Sequence, residues 1–258
     1  MDWIEISVDG RCWRGPAAGV DLAIPLDFEG AQPRFFAGAP ASAVPLEIGG
    51  FEGDVRRGAS CNCSIHTFAP HCHGTHTECV GHLTGDGHSL ADHAPEPIRL
   101  ALLVTLPPDT REITHAALVT AAERWDGLPW TALIVRTTPN DPRKRFLSYD
   151  GSTRAPWFLT EAIDWMVSRG VASLVVDLPS LDRGDDASLA AHRAFWGLPA
   201  GSRRAADAAR ATALVTELAY APDRMLDGLY LLELQVAPFA SDAAPSRPVI
   251  RAATEVRN

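Results

Sequence analysis

The chain has 258 residues, 46% of them hydrophobic and 21% charged. That balance excludes an extended disordered chain and allows a sizeable core without disulfide staples. Its 23 Lys and Arg against 32 Asp and Glu leave a formal net charge of −9 with no basic tract, which disfavours binding to a phosphate backbone. No apolar run approaches the roughly 18 residues of a membrane span. The N-terminus, Met1-Asp2-Trp3-Ile4-Glu5, lacks the basic and apolar regions of a secretory signal. Five cysteines, an odd number with several among histidines, favour free thiols or metal ligands over a disulfide framework. The expectation is a cytoplasmic protein with neither nucleic acid nor membrane as partner.

In chain order, residues 14–60 are rich in Gly, Pro and Ala, and Pro16, Pro25, Pro33, Pro40 and Pro45 interrupt any helix. Short strands and loops wrapped on a scaffold are expected there. Leu100–Leu106, an apolar run ending at Pro107-Pro108, reads as a buried strand. Thr114 is placed to cap a helix carrying Leu118, Ala121, Ala122 and Trp125. Thr131–Arg136 is the next strand. Thr160 begins a second helix, with Ile163, Met166 and Val167 on one face and Gly170 as its stop. Ala172–Val176 is a strand ending at Asp177, Ser188–Phe195 a short helix, and Leu229–Val236 the last convincing strand. Strands alternating with helices, preceded by irregular β structure, predict an α/β fold: a mixed β-sheet core with flanking helices and additional β structure. The whole chain, residues 1–258, is expected to be a single domain.

Seven of nine histidines, His66, His71, His73, His76, His82, His88 and His93, fall in one short window. Within it runs His71-Cys72-His73-Gly74-Thr75-His76-Thr77-Glu78-Cys79-Val80-Gly81-His82. Imidazole, thiolate and carboxylate are the side chains that bind a first-row divalent ion. If the chain beyond Thr75 is extended, His76, Glu78, Val80 and His82 share one side, and Cys79 packs on the other. His66, His88 and His93 show no partner pattern and read as loop residues, and His115 as a first-turn helix residue. Cys61 and Cys63, one residue apart, are too close for an unstrained disulfide and read as small packing residues. Trp3, Trp13, Phe35, Phe36, Trp157 and Trp196 are candidates for an aromatic pocket or for core.

The segment resembles the signature His-x-Gly-Thr-His-x-Asp-x-Pro-x-His of the metal-dependent cyclase family, which includes bacterial kynurenine formamidases and isatin hydrolases. Aligned on Gly74-Thr75-His76, the chain has Cys72, His76, Glu78, Val80 and His82 at the remaining positions. Asp177-Leu178-Pro179-Ser180-Leu181-Asp182 with Ala191-His192-Arg193 is similar to the family's Asp-x-x-Ser-x-Asp segment and its downstream histidine. Thr216-Glu217-Leu218 is similar to its Glu-Asn-Leu segment. The resemblance implies the swivelling β/β/α cyclase-like fold. It implies Cys72, His76, Glu78, His192 and Glu217 as metal ligands, His82 as the catalytic acid/base, and a homodimer. Cys72, Glu78 and Val80 depart from the pattern, and His71 or His73 is an alternative source of the missing imidazole.

A metal-dependent hydrolase follows from that resemblance, arylformamidase- or cyclase-like, acting on an amide, lactam or ester bond of a small molecule. The cofactor is a divalent metal, zinc or alternatively manganese, as one or two ions; a thiolate ligand favours zinc. Two other readings stand beside it. One is a structural or sequestering metal site. The other is a thiol protein using Cys61, Cys63, Cys72 and Cys79, for which a Cys-x-x-Cys motif is lacking.

Overall fold

The computed structural model describes residues 2–36, 38–94, 97–107, 111–150 and 155–256. Seven strands carry the fold: β1 (His76–Glu78), β2 (Arg99–Leu106), β3 (Ala132–Thr137), β4 (Ser173–Val176), β5 (Leu214–Glu217), β6 (Gly228–Val236) and β7 (Ala243–Ala252). They run in the order β6-β2-β3-β4-β5-β1-β7, and β7 pairs back on β6, so the sheet closes into a barrel. Strands β2 to β5 are parallel neighbours. Strands β6, β1 and β7 complete the ring through antiparallel pairs. Parallel neighbours need crossovers, and three helices lie in them: α1 (His115–Ala122), α2 (Thr160–Ser168) and α3 (Ala190–Trp196).

Alternation explains why β2 reads as an unbroken apolar run. Leu100, Leu102, Val104 and Leu106 face a core shared with Leu118, Ile163, Met166, Phe195 and Trp196 of the helices. Ala101 and Leu103 face the other way, packing with Ala132, Ile134, Val175, Leu232 and Ile250 inside the barrel. A strand buried on both faces has no polar side to show. Thr114 caps α1 as expected, its side-chain oxygen accepting from the Ala117 N–H at 3.2 Å. Gly170, at φ 75°, follows the end of α2.

The first third forms the expected short β structure. Trp3–Val8, Arg11–Pro16 and Thr254–Val256 make a three-stranded antiparallel sheet, and Trp13 reaches from it into the outer core. Val20–Asp21 pairs with β7, tying this segment to the barrel.

Two expectations are corrected. β7 is a ten-residue strand beyond Leu229–Val236, which read as the last convincing strand; Pro245 and Pro248 argue against a ladder there. Both prolines still accept through their carbonyls, from Ala237 at 3.1 Å and Leu22 at 2.9 Å, which is the contribution proline retains. The extended chain after Thr75 also stops earlier than expected. It ends at Glu78, and Val80–Leu83 is a 3-10 turn with Val80 in the outer core.

Candidate metal centre

The barrel's outer face, beneath α3, gathers the polar residues. In the β1–β5 pair, His76 lies opposite Glu217 and Glu78 opposite Val215. Opposed residues share a face, and Val215 belongs to the outer core, so His76, Glu78 and Glu217 all look outward, toward α3. Thr77 and Thr216 point to the other side, where their hydroxyls bond at 2.7 Å. His192 reaches the same point from the first turns of α3.

The ligand-type atoms converge in two groups that share one carboxylate, with a third, His71, His82 and Asp242, adjoining them at the rim. Glu78, His192 and Glu217 form the first, and His71, His76 and Glu78 the second; within each, ligand atoms lie within 4.8 Å of one another. His192 Nε2 is 2.9 Å from Glu78 Oε1 and 3.4 Å from Glu217 Oε1. His76 Nε2 is 3.5 Å from Glu217 Oε2, and His71 Nδ1 is 3.0 Å from Glu78 Oε2. These contacts are close but not aligned as hydrogen bonds. Buried His76 Nε2, His192 Nε2 and both Glu78 oxygens have no hydrogen-bond partner. Buried polar atoms are normally satisfied, so lone pairs converging without donors fit a divalent cation.

Each histidine is oriented from behind. The Gly74 carbonyl accepts from His76 Nδ1 at 3.2 Å, leaving Nε2 as the free lone pair. Asp182 accepts from His192 Nδ1 at 2.5 Å, and from the Ala191 and His192 backbone N–H groups at 2.6 and 3.2 Å. One carboxylate thus both caps α3 and sets the imidazole tautomer, the carboxylate–histidine arrangement that metal sites use. The Leu181 N–H donates to Glu217 Oε1 at 2.9 Å. Leu218, the residue after Glu217, sits at φ 52°, strained backbone of the kind found at functional sites.

His82 stands at the rim. Its Nε2 is 3.9 Å from Glu78 Oε2 and its Nδ1 is 3.5 Å from Asp242 Oδ2. Asp242 also accepts from His71 Nε2 at 2.8 Å. Asp242 carries no signal in the sequence; it lies in a polar loop far along the chain and reaches the site because β7 pairs with β1.

Burial opposes charge on these groups, but their neighbours prevail. Burial lowers the His71 pKa, yet the hydrogen bond to Asp242 and the nearby Glu78 carboxylate push it up to about 10. Burial likewise lowers His192, and the Glu78 charge with the Asp182 bond carry it well above its ordinary value. Burial pushes Glu78 up, but His82 and His192 hold it well below the usual carboxylate range. Hydrogen bonds from His71 and His82 hold Asp242 low. A buried site that keeps its carboxylates ionised and draws in protons favours positive charge, which a metal ion supplies.

The expected residues fare unevenly. His76, Glu78, His192 and Glu217 are brought together, with His82 beside them. Cys72 lies in none of the ligand groups among the described residues. It ends the 3-10 turn Pro70–Cys72, half-buried, and burial pushes its thiol up. In a three-residue turn neighbouring side chains point about 120° apart, and His71 is the one that faces Glu78. His73 is engaged elsewhere, its ring nitrogens 3.0 Å from the Ala39 carbonyl and 3.1 Å from that of Ala69. Asp177 is a brace, accepting from the Thr137 N–H at 2.9 Å and Lys144 Nζ at 2.8 Å. Cys79 is buried inside the barrel wall with Leu214, Leu234 and Ala244. Cys61 and Cys63 are exposed, not packed. Of the six aromatics, Phe35, Phe36 and Trp157 line a cavity of about 340 Å³ that Asp182 also borders. Trp13 and Trp196 are core, and Trp3 is half exposed on the N-terminal sheet.

Comparison with known proteins follows this geometry. The structure is similar to isatin hydrolase A from Labrenzia aggregata bound to benzyl benzoate, with TM-score 0.64 and 15% identity over 91% of this chain and 93% of that one. It is similar to a predicted metal-dependent hydrolase from Bacillus stearothermophilus, with TM-score 0.60 and 13% identity over 90% and 97% of the two chains. Isatin hydrolase A from Ralstonia solanacearum aligns with TM-score 0.58 and 16% identity over 91% and 92%. No curated protein sequence matches. The family model Cyclase, described as "Putative cyclase", matches residues 20–183. With more than half of its length inside that match, and with the fold of these hydrolases, this chain belongs to the Cyclase family.

Proposed function

We propose that the protein is a metal-dependent hydrolase that opens a carbon–nitrogen bond, amide or lactam, of a small aromatic molecule. The observation that carries this reading is the convergence of His71, His76, Glu78, His192 and Glu217, with four lone-pair-bearing atoms unsatisfied, beside an imidazole outside the buried set. Nitrogen and oxygen donors of this kind suit zinc or manganese. Glu78, common to both groups, would be the central carboxylate holding the metal. When bound, such a cation supplies Lewis acidity toward water and toward a carbonyl oxygen.

The remaining work falls to the chain's own residues. His82, a quarter exposed at its side chain, accepts a proton from the attacking water and returns it to the leaving nitrogen. Asp242 stabilises His82 in the orientation that turns Nε2 toward the centre. Asp182 keeps His192 in the ligand tautomer. The cavity edged by Phe35, Phe36 and Trp157 excludes water and receives a flat ring. The homodimer is likewise proposed, on the family resemblance, and sedimentation of the purified protein tests it.

The deciding experiment couples metal analysis to a screen of small amides, lactams and esters with wild type and His82→Ala. The expected outcome is metal-dependent turnover in wild type. His82→Ala keeps its metal and loses about 10²–10⁴ in rate. Full activity in His82→Ala removes the acid/base role, and metal-free protein with turnover overturns the reading.

A further inference from the structure

A second set of ligand-type side chains lies on the opposite side of β1 from the centre just described. We propose that Cys79, His88 and His93 form a separate site for a zinc-like divalent ion, which clamps the turn that carries His82. The Cys79 Sγ and one ring nitrogen from each histidine lie within 4.8 Å of one another. The two histidine Nε2 atoms are 3.1 Å apart, with the rings inclined at 71°. Nitrogens each 2.0–2.1 Å from a tetrahedral zinc are separated by about 3.3 Å, so the pair already sits at that edge length. Cysteine thiolate and histidine imidazole are both zinc donors.

The backbone builds this site rather than leaving it to chance contact. Buried Cys79 precedes the 3-10 turn Val80–Leu83; its N–H donates to the Asp242 carbonyl at 3.0 Å, and its own carbonyl accepts from the His82 N–H at 3.0 Å. The chain then folds back so tightly that a Cβ on Gly81 would lie 2.1 Å from the His88 carbonyl oxygen. Only glycine permits that approach. His88 and His93 flank a second 3-10 turn, Leu90–Asp92, closed by a capping box in which Asp92 Oδ2 accepts from the Ser89 N–H at 2.8 Å and its hydroxyl at 3.1 Å. The Asp86 and Asp92 carboxylates add negative charge near the histidines.

Three protein donors leave a fourth position for water, and the half-exposed histidines open it to solvent. On binding, the thiol transfers its proton to solvent as the sulfur–metal bond forms, with no change of oxidation state. An ion here joins the residue before the His82 turn to two residues after it. That fixes the acid/base from outside the catalytic ligand set.

Cobalt(II) titration of the purified full-length protein tests the proposal, since a thiolate on cobalt gives a near-ultraviolet charge-transfer band that imidazole and carboxylate donors do not. Wild type is expected to show the band, as are Cys72→Ser and His76→Ala. Cys79→Ser is expected to lose it. His88→Gln and His93→Gln, at half-exposed loop positions that tolerate the change, are each expected to weaken the band-forming event on the order of tenfold or more. Absence of the band in wild type, its persistence in Cys79→Ser, or unchanged affinity in both histidine variants overturns the site. If Cys79→Ser fails to fold, the two histidine variants decide.

Discussion

Cys72 and His71 are adjacent, both able to bind a metal, and only one faces the centre. The 3-10 turn Pro70–Cys72 carries both: His71 Nδ1 lies 3.0 Å from Glu78, while Cys72 belongs to no ligand group among the described residues. His71→Ala is therefore expected to lose metal on dialysis, and Cys72→Ala to retain wild-type metal content; atomic absorption on both proteins checks this. The carboxylate behind His192 provides a second test at this scale. Asp182→Asn keeps the shape but weakens the hold on the imidazole tautomer, and metal affinity is expected to fall about 10–100-fold, read by competition with a chelator. An unchanged affinity would mean that Asp182 serves α3 alone.

At the scale of elements, local chemistry places the helices and strands that frame the site. Thr114 caps α1, and its loss is expected to cost about 1 kcal/mol. Thr114→Ala should thus lower the denaturant midpoint and leave metal content untouched, because α1 contributes no ligand. Residue alternation along β1 puts His76 and Glu78 on the face opposite Thr77, a relation plain from a period of two. β7 was not legible, since Pro245 and Pro248 speak against a ladder. Its pairing partners β6 and β1 supply the stabilisation that local propensity lacks.

For the whole molecule, barrel closure brings both ends of the chain onto one core. Val20–Asp21 pairs with β7, and Thr254–Val256 pairs with Arg11–Pro16. We propose that residues 1–258 unfold as one unit, so a single cooperative transition is the expected result. Two resolved transitions in calorimetry would divide the chain. Leu103, fully buried inside the barrel, tests the packing: Leu103→Ala is expected to cost about 2–5 kcal/mol, measured by denaturant titration.

The amino-acid order by itself determined the kinds of donor present, the alternation of His76 with Glu78, the apolar run of β2, the cap at Thr114 and the stop at Gly170. Each depends on residues within a turn or two of one another, where period and propensity act directly. Tertiary structure alone decided that His71 faces the centre, that Asp242 joins it from a distant loop, and that β7 closes the barrel. Those outcomes depend on the phase of a turn and on strand register between remote segments, which are settled when the assembled core selects one pairing among many.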